Sequence, residues 1–137
     1  MAHWLLKSEP NTYSWEQLVA DKRTPWDGVR NHQAANNLKA MKRGDRAFFY
    51  HSGAGPAIVG IVEITKESYP DPGDPAGRFV MVDVKPVQAV KTPVPLAAIK
   101  VEKRLKDFAL VRQGRLSVVP VSDDEWQLLC AMANVPA

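Results

Sequence analysis

The stretch Arg46-Ala47-Phe48-Phe49-Tyr50-His51-Ser52, followed across a glycine-containing turn by Ile58-Val59-Gly60-Ile61-Val62-Glu63-Ile64-Thr65, decides the fold of this chain. In the first segment side chains alternate, so Phe49 and His51 share one face while Phe48, Tyr50 and Ser52 share the other. The second segment is the most β-branched part of the chain, and β-branched residues favour strands. The sequence therefore predicts two strands joined by a turn, the second of them central in a sheet.

Shorter elements extend outward from these two strands. Further strands are predicted over residues 3–7, 79–87 and 116–121, and helices from residue 14, over residues 30–41, over residues 96–108 and from residue 122. The first and last helices have capping-box spacing, from Ser14 to Gln17 and from Ser122 to Glu125. Three prolines and two glycines within residues 69–77 predict a mobile loop.

This mixture of elements predicts an α+β fold. A twisted mixed or antiparallel sheet is expected to curl into a small β-barrel with flanking helices, because long strands close or cover their edges. No regular strand–helix alternation and no Gly-x-Gly-x-x-Gly motif supports a doubly wound sheet. At 137 residues the chain is expected to form a single domain, residues 1–137. The predicted core contains Phe49, Ile58, Val62, Val82, Leu116 and Val118.

Composition and the start of the chain predict an intracellular protein. Hydrophobic residues make up 45% and charged residues 24%, which is typical of globular domains. Cys130 is the only cysteine, which excludes an intrachain disulfide and a cysteine-based zinc site. The chain has no signal-peptide pattern and no apolar run near the roughly 20 residues that span a bilayer. We therefore expect a cytoplasmic location and no membrane partner.

The basic residues are clustered although the net charge is only +3. One cluster, within residues 98–116, contains six basic residues and two carboxylates, and a second lies within residues 39–46. Such clusters can contact phosphates, because each neutralised phosphate releases bound counterions. A solvated basic surface is an equally weighted alternative.

The residue pattern gives little support for catalysis. His3, His32 and His51 are scattered without a carboxylate or cysteine at ligand spacing, so no metal site is predicted. Residues 52–55 lack the Lys-Ser/Thr pair of a phosphate-binding loop and are predicted to form a turn. Lys7 and Glu9 face the same side of one strand, as a structural ion pair or a proton-transfer pair. No cofactor and no catalytic residue is predicted.

Three segments place hydrogen-bonding side chains beside aromatic rings, namely residues 4–10, 26–31 and 48–52. Their convergence would form a pocket that stacks a planar ligand and reads its edge. Within the second segment, Asp27 and Gly28 are assigned to the backbone turn and helix cap. Trp26 serves either in core packing or in stacking. Ser8, Asn31 and Ser52 are expected to meet in this pocket.

Six motifs occur along the chain in a specific order. They are Trp-Leu-Leu-Lys-Ser-Glu-Pro (4–10), Trp-Asp-Gly-Val-Arg-Asn (26–31), Gly-Asp-Arg-Ala-Phe-Phe-Tyr-His-Ser (44–52), Gly-Ile-Val-Glu (60–63), Tyr-Pro-Asp (69–71) and Leu-Ser-Val-Val-Pro-Val-Ser (116–122). This series resembles the EVE domain family and covers nearly the whole chain. The resemblance implies a PUA-like fold related to YTH and ASCH domains. It also implies a nucleic-acid-binding module that reads a modified nucleobase, with modified cytosine in DNA expected ahead of RNA.

The resemblance, taken with the residue pattern, predicts which side chains bind the ligand. The expected ligand-binding residues are Lys7, Ser8, Glu9, Trp26, Val29, Arg30, Asn31, Tyr50, His51 and Ser52, and the expected phosphate contacts are Arg112 and Arg115. A base inside a duplex must be flipped out of the stack, and stacking on Trp26 or Tyr50 would offset part of that cost.

Two other function classes stay open at this point. Some ASCH-type relatives are hydrolases, so a small hydrolase acting on modified nucleosides or RNA is the alternative, with Lys7, Glu9 and Tyr50 at its centre. A purely protein-binding module is the third possibility. It would be signalled by a broad exposed apolar patch.

Overall fold

A six-stranded mixed sheet forms the centre of the computed structural model, which describes all 137 residues. In chain order the elements are β1 (His3–Ser8), α1 (Trp15–Asp21), β2 (Thr24–Trp26), α2 (His32–Ala40), β3 (Arg46–His51), β4 (Ala57–Pro70), β5 (Val80–Pro95), α3 (Leu96–Val101), a 3₁₀ helix (Lys103–Leu105), α4 (Ala109–Arg112), β6 (Val118–Val121) and α5 (Asp123–Met132). The strand order is β2-β5-β4-β3-β1-β6. β1 pairs with β3 in parallel, and all other neighbours are antiparallel. The predicted α+β class is confirmed.

Alternation along β3 distributes the aromatic core over both faces of the sheet. Phe48 stacks on Trp126 of α5, with ring centroids 4.1 Å apart. On the other face, Phe49 meets the rings of Trp15 and Trp26 edge to face, each at 5.5 Å. Gly60 of β4 lies beneath Trp15, where a Cβ atom would overlap the indole ring, so glycine allows α1 to approach the sheet closely.

The predicted core is confirmed. All of its members are buried and belong to one hydrophobic cluster: Phe49, Ile58, Val62, Val82, Leu116 and Val118. The predicted caps also form. Ser14 accepts a hydrogen bond from the Gln17 N–H at 3.0 Å, and a reciprocal capping box joins Ser122 and Glu125.

The sheet curls but does not close into a barrel. β2 and β6 are the two edges, and no backbone ladder joins them. Each edge strand contains a proline, Pro25 or Pro120, which cannot donate to a further strand. The expectation of a closed barrel is therefore corrected to a curled, open sheet.

Two prolines, Pro93 and Pro95, lie near the end of β5 without interrupting the strand. β5 continues through Pro93 to Pro95, and Ala57 pairs with Pro95. β2 pairs only with residues 82–84 of β5, so most of the outer side of β5 has no partner strand. Proline is tolerated there because no ladder hydrogen bond requires its missing N–H.

Residues 69–77 are more structured than the predicted loop. Tyr69 pairs with Met81 within the β4–β5 ladder. In the turn that follows, the Asp74 carboxylate accepts hydrogen bonds from the backbone N–H groups of Arg78, at 2.7 Å, and Phe79, at 2.9 Å. Burial opposes ionisation of Asp74, but these hydrogen bonds outweigh it and lower the pKa of Asp74. The proline and glycine content predicted that the strand ladder breaks here, but it did not predict that the Asp74 carboxylate would order the turn.

No helix of the chain is both long and apolar enough to cross a membrane. The three histidines lie apart, and each packs against a different aromatic residue. His3 stacks on Trp126, His32 lies beside Phe79, and His51 meets Phe49 edge to face.

Candidate functional site

A cavity of about 390 Å³ lies between the end of β1 and the edge strand β2. Its lining residues are Lys7, Ser8, Glu9, Thr12, Tyr13, Thr24, Pro25, Trp26 and Asp27. The two strands are far apart in the strand order, so the curl of the sheet brings them together. The volume lies within the roughly 300–1,000 Å³ of small-molecule pockets. We call this depression the β1–β2 cavity.

The chain builds one wall of the cavity directly after β1. Parallel pairing places Lys7 opposite Tyr50 and Ser8 opposite His51. Beyond Ser8 the chain turns, because the N–H groups of Thr12 and Tyr13 both donate to the Glu9 carbonyl at 2.9 Å. This turn returns Tyr13 to the cavity beside the end of the strand.

Two aromatic rings line the cavity. Trp26 is 8% exposed and is held edge to face on Phe49. The Tyr13 hydroxyl donates to the Asp21 carboxylate at 2.8 Å. Burial raises the pKa of Tyr13, and the Asp21 carboxylate adds to this rise while Thr24 opposes it, so the hydroxyl stays protonated at neutral pH. The cavity therefore offers a planar ligand two uncharged rings.

Some polar side chains of the cavity are hydrogen-bonded within the protein, and others have no partner. Lys7 Nζ donates to the Gly114 carbonyl at 2.8 Å, and burial lowers the pKa of Lys7. Ser8 Oγ donates to the Tyr13 carbonyl at 2.6 Å. The carboxylates of Glu9 and Asp27 accept no hydrogen bond from the protein and form no ion pair, and both residues are exposed. The ion pair considered between Lys7 and Glu9 is absent, and two carboxylates are available to a ligand.

The family model of the EVE domain matches residues 2–132 of the chain. This chain belongs to the EVE domain family. Human thymocyte nuclear protein 1 is 37% identical over 165 aligned residues, which cover 96% of this chain and 73% of the human protein. The match spans the β1–β2 cavity and every strand of the sheet.

Solved structures confirm the PUA-like fold of this EVE domain. The Rhodopseudomonas palustris protein Rpa0253 is 54% identical with a TM-score of 0.93, covering 98% of this chain and 94% of that one. Human THYN1, solved in complex with 5-methylcytosine-containing DNA, is 36% identical with a TM-score of 0.93, covering 100% of both chains. The YTH domain of the Zygosaccharomyces rouxii MRB1 protein is 13% identical with a TM-score of 0.63, covering 96% of this chain and 86% of that one, and shares the fold alone.

Four of the ten predicted ligand-binding residues line the β1–β2 cavity of the EVE domain, namely Lys7, Ser8, Glu9 and Trp26. Val29 is instead buried in the hydrophobic core. Arg30 donates to Asp71 at 2.9 Å and lies over the Phe79 ring. These two residues hold the segment that follows the cavity.

Ser8, Asn31 and Ser52 do not meet in one cavity, in contrast to the expected convergence. Ser52 lines a neighbouring depression that shares Glu9 with the β1–β2 cavity. Asn31 lines a third depression with Gly114 and Arg115, among others, and caps α2 by accepting from the Ala34 N–H at 2.9 Å. The predicted pocket is therefore three adjacent depressions, and the binding roles of Asn31 and Ser52 stay predictions.

Tyr50 and His51 lie behind the cavity wall. Tyr50 is 3% exposed, Lys7 Nζ lies 5.9 Å from its ring centroid, and burial raises the pKa of Tyr50. His51 Nε2 accepts a hydrogen bond from the Trp15 N–H at 3.0 Å, which satisfies a donor at the start of α1. His51 therefore ties α1 to β3 as a hydrogen-bond acceptor.

The two predicted phosphate contacts differ in their surroundings. Arg112 forms a surface ion pair with Asp107 at 2.9 Å. Arg115 forms no ion pair and lines the depression beside Asn31, next to the Gly114 carbonyl that binds Lys7. Arg115 is the better placed of the two to meet a ligand at the cavity.

Sequence reasoning missed five residues that line the cavity: Thr12, Tyr13, Thr24, Pro25 and Asp27. Asp27 was assigned to a turn or helix cap, but Asn31 caps α2 and the Asp27 carboxylate stays free. Gly28 does have the predicted turn role, since its φ is +78° and its N–H donates to Asp71 at 2.9 Å. Either Asp27 or Asn31 could cap α2 by sequence alone, and because Asn31 does so, the Asp27 carboxylate is left free to line the cavity.

Proposed function

We propose that this EVE domain binds DNA carrying a modified cytosine and holds the extruded base in the β1–β2 cavity. The observation that carries the proposal is the human THYN1 complex with 5-methylcytosine-containing DNA, because that chain matches this one along its whole length. The lining of the β1–β2 cavity supports the same ligand class. It combines exposed hydrogen-bonding groups with aromatic rings in a volume suited to a small planar molecule.

Stacking supplies the first part of the binding energy. A base must leave the duplex to reach a pocket, which costs a few kcal/mol. Stacking on an aromatic side chain returns about 1–3 kcal/mol per base. Trp26 lines the cavity and is fixed on Phe49, so little side-chain freedom is lost when a base stacks on it.

The free carboxylates supply the chemical readout. Carboxylates of Glu and Asp accept hydrogen bonds from the exocyclic amino group of cytosine. Glu9 and Asp27 line the cavity and have no partner within the protein. A thymine or uracil presents a carbonyl oxygen at the same position, which two carboxylates would repel. The cavity therefore favours a cytosine-type edge.

The other predicted residues support this arrangement within the proposal. Ser8 and Lys7 fix the turn and the β6 side of the cavity through bonds to Tyr13 and Gly114. Arg115 is positioned to contact a flanking phosphate, which would orient the strand without reading sequence.

Binding of matched duplexes tests the proposal. Affinity is measured for duplexes that differ only in one cytosine, either 5-methylated or plain, and for the corresponding RNA. The carboxylates are proposed to read the amino group that plain and methylated cytosine share, so the double variant Glu9→Gln/Asp27→Asn should bind both duplexes less tightly and lose the preference for cytosine over a thymine at the same position. The control Glu16→Gln/Asp124→Asn removes two exposed carboxylates outside the cavity and should retain it. Equal affinity of the unaltered protein for modified and plain duplexes would reject the proposal.

The hydrolase alternative is tested in the same samples. Lys7, whose pKa is lowered by burial, and Glu9 line one cavity, as a proton-transfer pair would require. Incubation with modified nucleosides and RNA, followed by product analysis, should show no turnover under the binding proposal. Turnover that is abolished by Lys7→Ala would establish the hydrolase. Only three large apolar residues are exposed, namely Met1, Val19 of α1 and Val101 of α3, which gives little support for a protein-binding module.

A further inference from the structure

A second cavity, of about 650 Å³, lies where α1 ends against β4 and β5. Its lining is Asp21, Lys22, Arg23, Arg43, Thr65 and Lys85, so it has four cationic side chains, one carboxylate and no apolar side chain. We call it the cationic cavity. One of its cations, Arg43, belongs to the basic cluster within residues 39–46, and none of the four is Arg112 or Arg115, the two expected phosphate contacts.

The charge of the cationic cavity is poorly neutralised by the protein. Lys22, Arg23 and Arg43 form no ion pair, and only Lys85 has a carboxylate partner, Glu63 at 3.6 Å. The single lining carboxylate, Asp21, already accepts hydrogen bonds from the Tyr13 hydroxyl and the Gln17 amide, both at 2.8 Å. The Glu67 carboxylate also lies nearby, since it accepts a hydrogen bond from the Arg43 N–H at 3.2 Å. The four cations still outnumber these carboxylates, and an excess of positive charge concentrates anions.

A buried hydroxyl in the same cavity has no partner. Thr65 Oγ1 is buried and forms no hydrogen bond. Leaving a buried polar group unpaired is costly, so such groups normally find a donor or acceptor.

The backbone at Lys22 gives an independent indication. Lys22 is the C-cap of α1 and has a φ of +67°, in the left-handed region that glycine and asparagine occupy most readily. A lysine at this position costs stability that glycine would not, and such local strain clusters at functional sites. Its side chain lines the cationic cavity.

We propose that the cationic cavity binds the phosphate backbone of the same nucleic acid whose base enters the β1–β2 cavity, an inference that rests on the proposed function. The two cavities are joined through one contact. Tyr13 lines the β1–β2 cavity, and its hydroxyl binds Asp21, which lines the cationic cavity. The two cavities are also adjacent along the chain, because Arg23 lines the cationic cavity and the next residue, Thr24 of β2, lines the β1–β2 cavity. A strand whose base is extruded into the first cavity therefore passes its phosphates over the second.

The test compares two variants with the same change in net charge. Lys22→Gln/Arg23→Gln/Arg43→Gln removes three cations of the cationic cavity. Lys66→Gln/Arg78→Gln/Lys91→Gln removes three exposed cations that line neither cavity and belong to neither basic cluster. Duplex affinity is measured as a function of salt, because each phosphate contact contributes about 0.9 to the slope of log K against log salt. The first variant should lose about 2–3 from the slope and weaken modified and plain duplexes equally, while the control should keep the slope of the unaltered protein.

The outcomes separate this inference from the proposed function. Equal slopes for the two variants, with the preference for the modified base retained, would reject the phosphate surface alone. Loss of slope only in the first variant, without any preference in the unaltered protein, would reject the base readout alone. No binding of either duplex would reject both. As a folding control, Lys22→Gly should unfold at the same or a higher temperature yet bind less tightly, because glycine relieves the strained φ while removing the charge.

Discussion

Two tryptophans offer a matched comparison at the scale of single residues. Trp15 and Trp26 are each 8% exposed and each meets Phe49 edge to face at 5.5 Å, but only Trp26 lines the β1–β2 cavity. Trp26→Leu should therefore weaken binding of the modified duplex by about 1–3 kcal/mol, because leucine fills apolar space but cannot stack on a base. Titration calorimetry or fluorescence anisotropy would measure this loss.

Trp15→Leu is the control for that prediction. Both substitutions should lower the midpoint of thermal unfolding, since each removes a large ring from the core. Binding by folded Trp15→Leu should match the unaltered protein. Similar losses of affinity in the two variants would show that Trp26 contributes only through core packing.

The single thiol gives a second residue-scale prediction. Burial raises the pKa of Cys130 to about 11, so almost no reactive thiolate exists at pH 8. Alkylation by iodoacetamide at pH 8 should therefore be far slower than for a free cysteine, and urea should accelerate it as the domain unfolds. Mass spectrometry of timed samples measures the rate. Rapid labelling of the native protein would show that α5 opens readily.

At this scale the sequence selected Trp26, Ser8 and Glu9, which do line the β1–β2 cavity, but it missed Tyr13 and Asp27, which line it as well. The sequence motifs show which aromatic and polar residues are close along the chain. They do not reveal that a turn after Glu9 returns Tyr13 to the end of β1, because this geometry depends on backbone hydrogen bonds. Asp27 was missed because a cap role suits Asp and Asn equally well, and only the structure shows which one accepts the hydrogen bond.

Among the elements, the turn after β4 controls the segment that follows the cavity. The Asp71 carboxylate accepts from Arg30 and from the Gly28 N–H, both at 2.9 Å, and from the Gly73 N–H at 2.8 Å. Asp71→Asn should lower the free energy of unfolding by about 1–3 kcal/mol at pH 7, because a neutral amide cannot satisfy all three donors. Urea unfolding measures this change.

The stabilisation provided by the Asp71 carboxylate should depend on pH in a defined way. Burial raises the pKa of Asp71, but hydrogen bonds from Arg30 and the backbone outweigh it, so the folded-state pKa lies below the usual 3.8. A depressed carboxyl pKa stabilises the fold above the unfolded-state pKa and loses this effect as the pH falls through the folded-state value. The stability difference between the unaltered protein and Asp71→Asn should be constant above about pH 5 and shrink below about pH 4. A difference that grows towards low pH would contradict the assignment.

Long strands and capped helices were predictable, whereas β2 and α4 were not. β3, β4 and α5 have strong local patterns, and their cores and caps formed as expected. β2 has only three residues with Pro25 at its centre, so local propensity opposes it. Its pairing with residues 82–84 of β5 decides its conformation, and that tertiary contact has no local signature.

For the whole molecule, ligand binding should appear as a gain in stability. A ligand present at 100 times its Kd stabilises the folded state by about 2.7 kcal/mol, if it does not bind the unfolded chain. A thermal-shift comparison should therefore raise the unfolding midpoint by several degrees with the 5-methylcytosine duplex and by less with the plain duplex at equal concentration. Equal shifts with both duplexes would indicate phosphate binding without base readout.

The sequence also predicted the architecture in part. Resemblance and strand pattern together gave the α+β, PUA-like fold, and the solved relatives confirm it. The prediction that the sheet closes into a barrel was wrong. Closure requires a backbone ladder between the edge strands β2 and β6, and none forms. Proline in both edge strands opposes such a ladder, and a local strand pattern does not specify which strands meet.

The position of β1 in the sheet has a consequence for synthesis of the chain. β1 is the first strand to be made, yet it lies between β3 and β6, and Val118 follows Ser8 by roughly 110 residues. At about 5–20 residues per second, a ribosome needs roughly 5–20 s to supply that final partner. During this interval one edge of the nascent β1 stays unpaired, and Lys7 lacks the Gly114 carbonyl that it binds in the folded domain. Lys7 therefore cannot take its final position in the β1–β2 cavity until Gly114 has been synthesised, and a chain stalled before β6 would expose an unpaired strand edge to chaperones.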